Sequence, residues 1–149
     1  MRFEITLEGG KQLQAKLDSI PKKVSGRIVR KTVRESLKPV KKTIQSNAKS
    51  MAGGNMGKLI SKKMALRVMK KKRRGSYAMN VLIKPDAEFV HTAKKSKYKS
   101  KRTYIPAAIE YGHDNAAAIP FMRTAAHREK NKTIQNFGRL MKEGIEAAT

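Results

Sequence analysis

The chain has 149 residues, 39% of them hydrophobic, with a mean hydropathy of −0.62 and a formal charge of +24. It has no cysteine, which excludes disulfides, thiolate metal sites and thiol redox chemistry, and no stretch has the apolar length of a membrane span or the apolar core of a signal peptide. The length predicts one domain over residues 1–149 with a modest core, and the lack of cysteine fits synthesis in a reducing cytosol.

Phe3, Ile5 and Leu7 alternate with polar residues, the period of a half-buried strand that Gly9-Gly10 ends. Leu13, Leu17 and Ile20 recur at helical spacing, and the helix they predict stops at Pro21, because a residue before proline disfavours helical backbone. From Lys22 to about Met51, Val24, Ile28, Val33, Leu37, Val40, Ile44, Ala48 and Met51 form the stripe of a long amphipathic helix, with lysines and arginines over the remainder. Pro39 lies inside that stripe and predicts a kink or break near Leu37 and Lys38.

The glycines of residues 52–58 predict a flexible loop. Leu59 to Val68 fits helix and strand alike, although the alternation of Met64, Leu66 and Val68 favours a strand. Lys70, Lys71, Lys72, Arg73, Arg74 and Gly75 read as a hairpin tip, since Tyr77, Met79, Val81 and Ile83 resume a period of two, closed by Pro85-Asp86. After Phe89-Val90 comes a basic tract containing Lys94, Lys95, Lys97, Lys99, Lys101 and Arg102. Charges so dense repel, so residues 91–103 are expected to be a mobile loop that orders only on a partner.

The segment from Tyr104 to Arg123, YIPAAIEYGHDNAAAIPFMR, is low in charge. A short apolar element ends at Tyr111-Gly112, His113-Asp114-Asn115 supplies turn chemistry, and Pro120 suits the first position of a helix opened by Phe121 and Met122. That helix carries Ala125, Ala126, Ile134, Phe137, Met141 and Ile145 on one face. The elements add up to an α+β fold, a small antiparallel sheet packed against a long helix and a C-terminal helix.

An apolar approach, the corner Glu110-Tyr111-Gly112, a turn, and Pro120-Phe121-Met122-Arg123 opening a C-terminal helix resemble the neck or tail-completion protein family of long-tailed bacteriophages. The order of strand, two helices, Gly-containing loop, strands, corner and final helix extends the likeness over nearly the whole chain. The resemblance implies a virion structural protein, made in the host cytoplasm, that forms a homo-oligomeric ring, a hexamer or dodecamer, at the head–tail junction. Its neighbours would be head-connector and tail-tube or tail-terminator proteins, with genomic DNA in the lumen. It implies subunit packing or corner roles for Glu110, Tyr111, Gly112, Pro120, Phe121 and Arg123, and neither enzymatic activity nor a cofactor. The basic segment between Lys62 and Arg102 is heavier than the family pattern requires.

Charge distribution adds a partner class. Residues 21–103 hold 26 basic and three acidic side chains and so carry +23 of the +24. The ends are nearly neutral, as surfaces that pack on their own kind are, while the middle faces nucleic acid or acidic protein. The basic residues Lys70 to Arg74 and Lys94 to Arg102 are the candidates for binding an anionic partner, with Tyr98 and Tyr104 placed to stack on bases. Glu110, between Ile109 and Tyr111, is costly to bury unpaired, and the expectation is an ion pair with Arg123 or with an arginine of a neighbouring subunit.

His91, His113 and His127 are too scattered for a zinc pattern, and His113-Asp114 near Glu110 is turn chemistry rather than an acid/base group. Two other classes fit the charge: a sequence-nonspecific, ribosomal-like nucleic-acid-binding protein, which leaves the corner unexplained, and a small basic ribonuclease, for which the sequence names no residue set.

Overall fold

A computed structural model describes residues 10–69, 77–92, 102–113 and 116–148. The expected N-terminal strand, the hairpin tip, residues 93–101 and Asp114-Asn115 lie outside the described residues. The architecture is α+β: helices α1 (Gly10–Asp18), α2 (Lys22–Asn47), α3 (Gly54–Lys63), α4 (Ile105–Tyr111) and α5 (Phe121–Glu146), with strands β1 (Met64–Val68), β2 (Met79–Ile83), β3 (Val90–Thr92) and β4 (Arg102–Tyr104). The expected small antiparallel sheet is present, among the described residues, as two two-stranded pieces, β1 with β2 and β3 with β4.

Contacts gather the chain into two compact units. One holds residues 10–41, 66–69, 77–81 and 128–148. Its apolar cluster is Ile20, Met141 and Ile145, with Leu17, Ile28, Val29 and Phe137 packed around it. α1 ends before Pro21 as expected, and the Pro21 carbonyl accepts the N–H groups of Val24 and Ser25 at 2.8 and 3.1 Å, starting α2 after the short connection Ser19-Ile20-Pro21. β1 and β2 pair with each other, and the Met69 N–H beyond β1 bonds the Ala78 carbonyl at 3.0 Å.

Of the kink or break expected at Pro39, the break is absent: α2 runs uninterrupted through the proline. A proline inside a helix costs about 3 kcal/mol. Burial of the flanking Leu37, Val40 and Ile44 offsets this, at roughly 1.5–3 kcal/mol for each large side chain. The stripe is correct over Leu37, Val40, Ile44 and Ala48, but its ends, Val24 and Met51, are exposed.

The other unit holds residues 42–65, 82–92, 102–113 and 116–127. The loop expected over residues 52–58 is a single reversal. A π-helical turn, Ala48–Ala52, follows α2, Gly53 (φ +65°) turns the chain, and α3 begins at once. The glycines serve packing and turning here rather than looseness. Gly57 lies so close to the Ala48 carbonyl that a Cβ would collide with it, while its own N–H bonds the Gly53 carbonyl at 2.8 Å. The ambiguous stretch divides at Lys63: helix before it, strand after it.

Residues 91–103 are not a loop at their ends. Val90, His91 and Thr92 pair antiparallel with Tyr104, Thr103 and Arg102. Fully buried Phe89 meets the Tyr104 ring edge-on at 6.0 Å, a contact that supports the pairing of β3 with β4.

Candidate functional site

The corner is built by α4 and the start of α5. Pro106, buried in the first turn of α4, supplies a fixed φ where a missing N–H costs nothing. Gly112 takes φ +79°, and a side chain there would press on the Ala116 carbonyl and the Ala118 nitrogen. His113 and Ala116 then exchange backbone hydrogen bonds at 3.0 and 2.9 Å, and the Ile119 N–H returns to the Ile109 carbonyl at 2.7 Å. This fold-back brings the first turn of α5 over Glu110.

Glu110 is 3% exposed. Its carboxylate accepts the backbone N–H groups of Met122 and Arg123 at 2.8 and 3.0 Å, and the Nε of Arg123 at 3.2 Å. The Arg123 guanidinium also donates to the Glu110 carbonyl at 2.9 Å and lies 5.1 Å from the centre of the Tyr111 ring. Glu110 therefore caps α5 from outside its own sequence, satisfying donors that begin every helix and placing a negative charge at the positive end of its dipole. Of the two partners expected for Glu110, Arg123 of its own chain is present. Pro120 stands one position earlier than expected, before the helix, with its carbonyl accepting the Thr124 N–H at 3.1 Å. Phe121 is fully buried, and its carbonyl accepts the Asn47 side-chain amide at 3.2 Å.

Beside the corner lies an open cleft of about 730 Å³ whose walls include Tyr104, Ile105, Ala108, Ile109, Tyr111 and Ile119. Tyr111 is 61% exposed and Tyr104 40%. Burial of the remainder of Tyr104 raises its phenol above the ordinary tyrosine value.

Among the predicted anion-binding residues, Arg102 lies in β4 opposite Thr92. Lys70, Lys71, Lys72, Arg73, Arg74, Lys94, Lys95, Lys97, Lys99 and Lys101 lie outside the described residues. The sequence reading missed a second basic surface. Arg30, Lys31 and Arg34 of α2, with Glu35, Val68 and Tyr77, line a cleft of about 680 Å³. Its signal was present in the sequence as cations three and four residues apart on the face opposite the apolar stripe.

Lys63 closes α3 with an ion pair to Asp86, Nζ to Oδ2 at 2.5 Å. That hydrogen bond, and next the Glu88 N–H, hold the Asp86 carboxyl below its ordinary value. Among the described residues no three His, Asp or Glu side chains group as a metal site, and no helix is long and apolar enough to cross a membrane. Comparison with protein-family models, curated proteins and solved structures finds no match to this chain.

Proposed function

We propose that this chain is a virion structural protein of a long-tailed bacteriophage, a ring-forming component of the neck that joins the head connector to the tail tube around the DNA path. The observation that carries the reading is the Glu110 cap on α5. It gives the Glu-Tyr-Gly and Pro-Phe-Met-Arg segments, which resemble the neck or tail-completion family, one shared physical purpose. A corner pinned in this way holds Tyr111 outward on a low-charge surface beside an apolar-lined cleft, and such a surface fits packing between identical subunits.

The charge fits attachment to two kinds of neighbour. A compact chain of this length is about 40 Å across, and a ring of that height encloses on the order of 24 DNA phosphates. Six copies at +24 each exceed that several-fold. Much of the basic surface then meets acidic faces of the adjoining connector and tail proteins, where Lys94 to Arg102 are expected to dock.

The deciding experiment is light scattering on nuclease-treated protein at moderate and high salt. A closed oligomer that survives high salt is the expected result. A monomer that gains mass only when nucleic acid is added overturns the ring and favours sequence-nonspecific, ribosomal-like nucleic-acid binding.

A further inference from the structure

We infer that the cleft lined by α2, Val68 and Tyr77 is a binding site for the phosphodiester backbone of nucleic acid, held by Arg30, Lys31 and Arg34. The inference does not depend on assembly into a ring: a chain that never leaves the monomer still presents this cleft.

Arg27, Arg30, Lys31, Arg34 and Lys38 are all exposed and fall on one face of α2, one cation or more per helical turn. Like charges at three- and four-residue spacing repel one another and weaken a helix. The same charges could be spread around the exposed surface without that penalty, so their alignment calls for an external anion. One compensation exists within the chain: Glu35 pairs with Lys38 at 2.7 Å. Glu35 is the acidic residue lining the cleft, and that pair offsets its charge. Among the described residues no ion pair engages Arg30, Lys31 or Arg34.

Two features favour phosphodiester over an acidic protein face, whose carboxylates the planar arginine forks bind as readily as phosphate oxygens. The cations recur once per turn along a helix that runs uninterrupted for 26 residues, a linear periodic array suited to a linear periodic anion. Tyr77 offers an aromatic wall on which an unpaired base can stack, a contact that an acidic peptide does not use.

The test uses fluorescence anisotropy with a dye-labelled 20-nucleotide single strand and a 20-base-pair duplex, titrated over a range of salt. The full chain is compared with Arg30→Gln/Arg34→Gln and with Lys130→Gln/Lys132→Gln, which removes the same charge from exposed positions on α5. Circular dichroism checks that both variants keep their helices. The arginine pair is expected to lose tenfold or more in affinity at low salt. The slope of log K against log salt becomes shallower by about 1.8 for duplex and about 1.4 for single strand, two phosphate contacts in each case. The lysine pair is expected to change affinity no more than twofold. Equal losses in the two variants overturn the site, because net charge alone would then explain binding. So does an arginine variant that binds both probes like the unmodified chain. Poly-glutamate of matched charge is the third arm: if it shows the arginine-dependent loss and neither nucleic acid does, the cleft takes an acidic protein. Failure of the ring leaves these readings intact, since each compares affinities of variants of the same chain and none requires an oligomer.

Discussion

The Glu110 carboxylate and the Arg123 backbone meet at 3.0 Å, and the same two residues are joined twice more, side chain to side chain at 3.2 Å and guanidinium to carbonyl at 2.9 Å. The energetic weight is unequal. Glu110 is buried and holds two backbone donors, while the Arg123 side chain is 42% exposed. Glu110→Ala is therefore expected to lose about 2–3 kcal/mol in urea unfolding, since charged hydrogen bonds to buried groups are lost with the cap. Arg123→Ala leaves both backbone bonds in place and is expected to lose about 1 kcal/mol or less. Equal losses would mean that the ion pair, not the cap, holds the corner.

Asp86 predicts an acid-dependent component of stability. Its carboxyl is held low in the folded chain, first by the Lys63 hydrogen bond. The unfolded chain then binds the proton more readily, so the stabilisation is present above the ordinary value of 3.8 and is lost as pH falls through the lower folded value. Asp86→Asn removes this component. In urea titrations from pH 7 to pH 2, the midpoints of the two chains are expected to differ at neutral pH and converge below about pH 4. A constant difference across the range would show that Asp86 acts through geometry alone.

Gly57→Ala tests the reversal between α2 and α3. The added methyl group meets the Ala48 carbonyl, a backbone group that cannot swing away, and the expected loss is about 1–3 kcal/mol. Gly26 and Gly138 sit within α2 and α5 with open space where a Cβ would go. Alanine at either is expected to stabilise by about 0.5–1 kcal/mol, the helix-propensity gain. Thermal unfolding of the three variants separates the two effects by sign.

What the sequence made legible followed from period and chemistry. The apolar spacing of Leu37, Val40 and Ile44 named a helix face that is buried, and an acid between Ile109 and Tyr111 named its own need for a partner. The glycines of residues 52–58, and Pro39 as far as it argued for a break, misled because both are local signals. A tertiary face carried α2 through the proline, and the need for close approach between Gly57 and Ala48 placed a glycine inside a helix. The cap itself was not legible, because its donors are backbone groups twelve and thirteen residues away in the chain. The basic cleft was missed for another reason: periodicity was read for the apolar face of α2 and not for the charged one.

Tyr111 separates folding from association. It is 61% exposed, and its ring lies beside the half-exposed Arg123 guanidinium, so Tyr111→Ala is expected to cost less than about 1 kcal/mol of stability. An aromatic side chain at the centre of a subunit contact is worth more, about 2 kcal/mol or above, which is roughly thirtyfold in the association constant. The variant is therefore expected to keep its urea midpoint while its mass in light scattering falls toward the monomer at concentrations where the unmodified chain is assembled. Tyr104, on the same cleft, has its ring in contact with buried Phe89, so Tyr104→Ala is expected to lower both stability and association. A Tyr111→Ala chain that assembles like the unmodified protein would remove this cleft from the subunit contact and move the search to another low-charge surface.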